Sequence, residues 1–266
     1  MHRTLTSPFH AVFKLLLATV LLALGSSTLF AATKPKTTTY SDIDDITTTD
    51  TGTGIGWGIC SACAGGQVTD TYWMAQHQTS PSLFGSSTEL FMSSTTGYSN
   101  VLYYNKLGAN DTASHFTWDF WVQVDSSSSA AQTFEFDTFQ FLNGRRYMFG
   151  TQCNYQSGQW QIWNEGGGKW LNAGFACQKF TPNKWYHITW VFHRGTGTDM
   201  KMYYDSLTIQ QYGSRTATTR NLRVSEPSGP LPTGWGDNLG VQFQLDLGKN
   251  PGELHEWIDL VSLTVY

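Results

Sequence analysis

The stretch Thr133-Phe134-Glu135-Phe136-Asp137-Thr138-Phe139-Gln140 alternates apolar and polar side chains. This alternation predicts a β-strand with one buried face and one open face. Phe134 and Phe136 belong to the buried face, and Glu135 and Asp137 stand two positions apart on the open face. A sheet seldom carries two carboxylates side by side unless a metal, a sugar or a reaction uses them. We therefore treat this face as a candidate site, with an ordinary solvated strand face as the alternative.

The next residues, Leu142-Asn143-Gly144-Arg145, predict a two-residue hairpin turn of type I′, which needs positive φ at both central positions. Pairing Leu142 with Arg145 fixes the register of the returning strand. In that register Gly150 faces Asp137 and should leave an open space above the carboxylate. Gln152 faces Glu135 and offers both a donor and an acceptor. We expect this hairpin to form the polar floor of a ligand site.

Short alternating segments separated by Gly- and Ser-rich turns continue from Thr71 to the end of the chain. They predict strands near 71–78, 88–94, 98–107, 115–125, 133–141, 146–153, 158–164, 185–194, 199–205, 207–212, 239–247 and 256–266. No segment has a convincing apolar period of 3.6 residues. The predicted fold class is all-β, a two-sheet antiparallel β-sandwich of the jelly-roll type.

Two further strands show the same two-faced pattern. The polar face of 115–123 carries Asp119 and Trp121, and that of 241–246 carries Gln242, Gln244 and Asp246. If both strands flank the carboxylate strand, one sheet face presents all of these residues together. Carboxylates and amides bind paired hydroxyls and an aromatic ring stacks on a sugar face, so the predicted ligand is a carbohydrate. The predicted binding residues are Asp119, Trp121, Glu135, Asp137, Gln152, Gln242 and Gln244.

Residues 1–31 have the pattern of a signal peptide, with Arg3 and Lys14 before an apolar run at 15–24 and an acceptable cleavage site at Ala31. Ten apolar residues are too few to span a bilayer, so no membrane span is expected after removal of the signal. Residues 32–54 are rich in Thr and Asp and are interpreted as a linker, in which the aspartates form a solvated turn. Residues 55–266 are then one domain, located in the periplasm or outside the cell.

The composition of the domain limits the classes of partner that it is expected to bind. Without residues 1–31 the formal net charge is −6, because the chain has 16 Lys and Arg against 20 Asp and Glu and the removed segment contains Arg3, Lys14 and no acid. There is no basic run, which argues against nucleic acid. Aromatic residues make up 15% of the chain and charged residues only 14%, so the expected partner is a polysaccharide or another glycan.

The four cysteines, Cys60, Cys63, Cys153 and Cys177, indicate an oxidising compartment. Three pairings are open. We favour Cys60–Cys63 and Cys153–Cys177, since each closes a local loop. A redox Cys-x-x-Cys is less favoured because no βαβ pattern surrounds it, and a zinc site is less favoured because exported thiols oxidise first.

Three segments resemble the concanavalin A-like lectin and glucanase superfamily. Phe134-Glu135-Phe136-Asp137-Thr138-Phe139 is similar to the metal-binding strand of legume-type lectins. Lys184-Trp185-Tyr186-His187-Ile188-Thr189-Trp190-Val191-Phe192-His193-Arg194 resembles a strand of laminin-G-like domains, and 257–266 resembles their final strand. The resemblance covers roughly 55–266 and implies a concanavalin A-like sandwich, while one fold hosts many functions.

The lectin resemblance implies Glu135 and Asp137 as metal ligands. The positions where further ligands are expected hold Phe141, Arg145 and Arg146, and two cations beside a calcium site are unfavourable. We therefore expect no cofactor, with calcium as the alternative.

The glucanase resemblance implies Glu135 and Asp137 as catalytic residues of a Glu-x-Asp-x-x-Glu pattern. Its last position here is Gln140, or Phe139 in the shorter form, and neither side chain can exchange a proton. Asp119 or Asp246 could substitute. The strand at 185–194 places His187 opposite its apolar face, where a structural role is the simpler interpretation.

The sequence thus favours a secreted, lectin-like domain that binds polysaccharide on a polar and aromatic concave sheet face. One alternative is a glycoside hydrolase or polysaccharide lyase of the same fold. The other is an adhesion module that binds protein, for which an exposed apolar patch would be expected.

Overall fold

Two antiparallel β-sheets make up the part of the chain that the computed structural model describes, which is residues 36–46, 55–63 and 65–266. In chain order the strands are β1 (Thr38–Tyr40), β2 (Gly56–Ser61), β3 (Thr71–Gln78), β4 (Ser87–Ser94), β5 (Asn100–Gly108), β6 (His115–Val124), β7 (Ala131–Leu142), β8 (Arg145–Asn154), β9 (Gln159–Asn164), β10 (Lys169–Ala176), β11 (Trp185–Arg194), β12 (Lys201–Gln211), β13 (Thr218–Pro227), β14 (Gly229–Pro230), β15 (Asn238–Leu247) and β16 (Gly252–Val265). The predicted all-β sandwich is confirmed.

The strand order defines the two sheets. The front sheet has the order β10-β9-β8-β7-β15-β5-β2, with β14 on β8. The back sheet has the order β13-β12-β11-β6-β16-β4-β3, with β1 on β16. Half of the neighbouring pairs in these two orders are consecutive strands, and the other half join strands that are distant in sequence, as in a jelly roll.

Aromatic rings from the inward faces of both sheets form the core. Phe120 of β6 lies 5.2 Å from Phe136 of β7 and 5.2 Å from Phe243 of β15, measured between ring centroids. Trp118 of β6 lies 5.2 Å from Phe243. Because side chains alternate along a strand, burial of these rings turns the intervening polar residues of each sheet outward. The outward faces of the two sheets therefore lie on opposite sides of the sandwich.

The β7–β8 hairpin has the predicted turn and register. Asn143 and Gly144 have φ of 52° and 73°, as a type I′ turn requires. Asp137 pairs with Gly150 and Glu135 pairs with Gln152. Gln140 lies on the inward side, where its amide donates to the carbonyl of Asn110 over 2.7 Å.

Most predicted strands are confirmed within one or two residues, whereas β1, β2, β10, β13 and β14 were missed. Each missed strand pairs with a single neighbour. Such strands bury few side chains and so show little alternation. The segments predicted at 199–205 and 207–212 form one strand, β12, whose pairing with β13 shifts register between Tyr204 and Ser206.

Part of the predicted linker belongs to the sandwich. Thr38–Tyr40 pairs with β16, and Ile43 is fully buried. We predicted that Asp44 lies in a solvated turn, and this is wrong. Asp44 is buried and accepts the Val261 N–H over 2.8 Å. Burial raises the pKa of Asp44 to about 7. The remaining predictions for this end, the signal peptide at 1–31 and the rest of the linker, lie mostly outside the described residues.

Both predicted disulfides are present. Cys60 bonds Cys63 with a Cα–Cα distance of 5.7 Å, and Cys153 bonds Cys177 with a distance of 5.3 Å. The second bond ties the end of β8 to the segment that follows β10. None of the helical segments among the described residues has the length and apolar character needed to cross a membrane.

Substitution of Trp190 tests which side chains lie on the inward face of the back sheet. Its ring is 1% exposed and meets Trp160 of the front sheet edge-on, with ring centroids 6.0 Å apart. We expect Trp190→Ala to lower the free energy of unfolding by about 3–5 kcal/mol, because it leaves a large cavity between the sheets. Chemical denaturation measures this loss. Trp257→Ala, on the outward face of β16, is the control and should cost clearly less; equal losses would contradict the assignment.

Candidate functional site

A cavity of about 450 Å³ lies on the outward face of the front sheet. We call it the trough. It is lined by Cys60, Cys63, Leu102, Tyr104, Glu135, Asp137, Phe139, Phe141, Arg146, Met148, Trp163, Glu165, Trp170, Pro232, Trp235, Gln242 and Gln244. β7 and β15 supply its floor, and β9, β10, β5 and the loop before β15 supply its walls.

The floor consists of two carboxyl groups, each held by a glutamine amide. β7 and β15 are neighbours in the sheet, and their register sets Gln242 beside Asp137 and Gln244 beside Glu135. The amide of Gln242 donates to Asp137 Oδ2 over 2.6 Å, and that of Gln244 donates to Glu135 Oε2 over 2.9 Å. The N–H of Thr151 donates to Asp137 Oδ1 over 2.8 Å. The carboxylates and glutamines predicted from sequence as one polar face therefore do meet.

A third carboxyl group extends this row. The Gln244 amide also lies 3.0 Å from Asp246 Oδ1, and Thr133 Oγ1 donates to Asp246 Oδ2 over 2.6 Å. Asp246 is not among the lining residues of the trough, so it supports the floor from one end.

Both carboxyl groups of the floor have a raised pKa. Burial, the largest cause, raises the pKa of Asp137 to about 7 and that of Glu135 well above its usual range. The negative charges of Asp137 and Asp246 raise the pKa of Glu135 further. Glu135 therefore keeps its proton to a higher pH than an exposed glutamate does.

Two tryptophans form one wall. The rings of Trp163 in β9 and Trp170 in β10 meet edge to face with centroids 5.3 Å apart. Gly150 of β8 makes room for them, since a Cβ at that position would lie 2.7 Å from Trp163 Cβ and 3.3 Å from the Trp170 ring. The open space that we expected above Asp137 is thus filled by indole rings.

The opposite wall is formed by Tyr104 of β5 and Trp235 of the loop before β15. Their centroids are 6.0 Å apart, and Trp235 also meets Phe141 edge-on at 5.3 Å. Trp235 is 37% exposed, so part of its ring remains open to solvent.

The arginines near the hairpin are engaged away from the floor. Arg146 donates from Nε to Glu165 Oε1 over 2.7 Å, and Trp163 donates to Glu165 Oε2 over 2.7 Å. Arg145 donates to the carbonyl and hydroxyl of Ser228. The Arg146–Glu165 pair fixes the Trp163 wall, and Arg146 is the one cation among the described lining residues of the trough.

Two predicted site residues, Asp119 and Trp121, lie on the other side of the molecule. Their outward orientation was predicted correctly, but β6 pairs with β11 and β16 in the back sheet and not with β7. There the ring of Trp121 stacks on His187 with centroids 4.7 Å apart. Asp119 is 2.7 Å from His187 Nε2 and accepts from Thr189. The alternation of side chains within one strand predicts which face each residue occupies, but it does not predict which strand lies beside it in the sheet.

Gln152 is buried beside Glu135 and donates to Gln161 of β9. It lies beside Glu135 on the same face of the sheet and does not line the trough. The walls were missed by sequence reasoning. Alternation in β9 does set Trp163 opposite the buried Trp160 and Ile162, so Trp163 could have been found. Trp235 lies in an irregular loop that carries no periodic signal.

The side chains of the floor do not fit calcium. Calcium takes six to eight oxygen ligands, whereas the floor presents two carboxyl groups, those of Glu135 and Asp137, to the trough. Within the described ranges, no three His, Cys, Asp or Glu side chains are grouped so as to hold a metal ion.

The floor also lacks the acid/base carboxyl group that the glucanase pattern expects. A glycosidase flanks the scissile bond with two carboxyl groups, one of which donates and reclaims a proton. Gln140, at the expected acid/base position, is buried and accepts from Arg194 Nε over 2.6 Å.

Sequence comparison identifies the family. Residues 95–244, more than half of the chain, match the Laminin_G_3 family model, described as concanavalin A-like lectin/glucanases superfamily. The chain therefore belongs to the concanavalin A-like lectin/glucanase superfamily. No curated protein matches it.

The chain is also similar to solved structures at low identity. An alginate lyase from Aplysia kurodai has 13% identity and a TM-score of 0.48, over 72% of this chain and 88% of that chain. A Shewanella oneidensis protein of unknown function has 15% identity and a TM-score of 0.46, over 100% and 96%. Peanut lectin has 10% identity and a TM-score of 0.46, over 86% and 98%. This likeness concerns the fold alone.

The raised pKa values of the floor make the stability of the domain depend on pH. A carboxyl group whose pKa is higher in the folded state stabilises the fold while it is protonated, and that stability is lost as pH rises through the folded pKa. For Asp137 the window runs from its ordinary value of 3.8 to about 7. We expect the free energy of unfolding to fall over this range by up to about 1.4 kcal/mol per pH unit for each proton lost.

Asp137→Asn should flatten this dependence, since the amide cannot ionise, as measured by urea unfolding between pH 4 and pH 8. Glu253→Gln, at an exposed position of β16, is the control and should keep the wild-type slope. An unchanged slope in Asp137→Asn would contradict the assignment of the floor.

Proposed function

We propose that this protein binds a polysaccharide in the trough. The observation that carries the proposal is the combination of aromatic walls on both sides of a hydrogen-bonding floor. Trp163 and Trp170 form one wall, Tyr104 and Trp235 the other, and carboxyl and amide groups lie between them. Pyranose rings have apolar faces that pack on indole rings, and their hydroxyls need polar partners at the edge.

The proposed binding residues on the floor are Glu135, Asp137, Gln242 and Gln244. Their mutual hydrogen bonds hold the side chains in place before a ligand arrives, which reduces the entropy lost on binding. Membership of a superfamily named for lectins and glucanases agrees with a carbohydrate ligand without selecting one.

Export from the cytosol is part of the proposal. The two disulfides support it, because such bonds persist in oxidising compartments and are rare in the cytosol. A polysaccharide ligand outside the cell or in the periplasm would then be within reach of the trough.

The exposed tryptophan of the trough provides the test. Trp235→Ala should weaken retention in affinity electrophoresis on a panel of polysaccharides by roughly ten- to hundredfold, since losing a stacked ring costs about 1–3 kcal/mol. Trp73→Ala is a matched control, because Trp73 is also 37% exposed but lies on β3 of the back sheet, stacked on Phe91.

Both variants should keep the melting temperature of the wild type within a few degrees. If Trp73→Ala abolishes retention and Trp235→Ala does not, the binding face is the back sheet and the proposal is wrong. Release of reducing ends from any polysaccharide, lost in Glu135→Gln, would instead support the hydrolase alternative.

A further inference from the structure

The floor of the trough has carboxyl groups without a cation. Four charged residues line the trough: Glu135, Asp137, Glu165 and Arg146. Arg146 is paired with Glu165. Glu135 and Asp137 are left with amide and backbone N–H partners, and no lysine or arginine of the described chain is bonded to them.

The hydrogen-bond donors of the floor are used within the floor itself. The amides of Gln242 and Gln244 both point at carboxyl groups. Gln244 is 4% exposed, and its Oε1 has no hydrogen-bond partner among the described residues. What the floor has left to offer a ligand is therefore acceptors, and its formal charge is negative.

The ligand group that complements such a floor is a cationic hydrogen-bond donor. An ammonium has three donors and no acceptor, whereas a hydroxyl or acetamido group brings acceptors as well.

The walls suit the same group. A cation within about 6 Å of a tryptophan or tyrosine ring is attracted by the ring quadrupole, most strongly where water is excluded. The chain itself places an ammonium against one wall, since Lys106 Nζ lies 4.7 Å from the Trp235 centroid and 5.6 Å from that of Tyr104. This contact shows that the Tyr104–Trp235 wall accommodates an ammonium.

We propose that the sugar unit bound in the trough carries a free ammonium, so that the ligand is a polysaccharide of amino sugars that are not N-acetylated. The inference rests on the proposed polysaccharide-binding function. The ammonium would lie over Glu135 and Asp137, between the Trp163–Trp170 wall and the Tyr104–Trp235 wall. An ammonium bound there would supply the missing counter-charge and favour the ionised form of both carboxyl groups, and the buried surroundings strengthen the attraction between the two charges.

Three hexasaccharides with the same β-1,4 backbone test the proposal by calorimetry on the purified protein. They carry an ammonium, an acetamido group or a hydroxyl at C2. We expect the glucosamine hexamer to bind about tenfold or more tightly than the other two. Glu135→Gln with Asp137→Asn should remove most of this preference, and Glu253→Gln on the back sheet should leave it unchanged.

A hexamer of lysine and a hexamer of mannuronate complete the panel. Equal binding of the lysine hexamer, insensitive to Trp235→Ala, would show plain charge attraction and overturn the proposal. Tighter binding of the acetylated, neutral or mannuronate hexamer, lost in Trp235→Ala, would overturn the ammonium inference and leave the polysaccharide function standing. If no saccharide binds, both the function and the inference fail.

A second variant tests the proposal without changing the floor, so its result does not depend on whether the floor mutant folds. Lys106→Met removes the cation that lies over Trp235 and leaves the floor intact. It should strengthen binding of the glucosamine hexamer several-fold, because a like charge near the site is gone. Weaker binding of that hexamer by Lys106→Met would contradict the placement of the ammonium.

Discussion

The packing of Phe136 between the two sheets is the constraint on which the trough depends. Its ring contacts Phe120 of the back sheet and Phe243 of the neighbouring strand, and it is fully buried. Because a strand alternates its side chains, a buried ring at this position turns Glu135 and Asp137 to the opposite face. A shift of one residue in the register would bury both carboxyl groups in an aromatic core. The tight Asn143–Gly144 turn then fixes which residues of β8 lie beside them.

The electrostatics of the floor follow from this placement. Two carboxyl groups side by side, walled by indole rings, cannot both stay charged without a cation. The pKa of both groups is raised, amides from the adjacent strand donate to them, and Arg146 is paired with Glu165 in the wall. The result is a rigid row of acceptors in partly apolar surroundings. Such a row has little in common with a calcium site or a glycosidase pair, although the sequence motif is similar to both.

The local sequence pattern was sufficient to predict the features that depend only on residues close together in the chain. The face of each main strand, the β7–β8 turn, its register and both disulfides follow from alternation, turn chemistry and loop length. The order of the strands in each sheet does not follow from the local pattern, because many strands pair with partners that are distant in sequence. Asp119 and Trp121 were therefore placed on the wrong sheet, while Gln242 and Gln244 were placed on the correct one. The aromatic walls depend on Gly150 and on an irregular loop, and neither gives a periodic signal.

An NMR titration that follows the tryptophan indole N–H signals shows whether the trough is the binding face. The eleven tryptophans are distributed over both outward faces and the core, and single Trp→Phe variants would assign their signals. On addition of the oligosaccharide that the protein retains best, we expect shifts for Trp163, Trp170 and Trp235, with Trp73 and Trp257 unchanged. Shifts confined to the back-sheet tryptophans would contradict it.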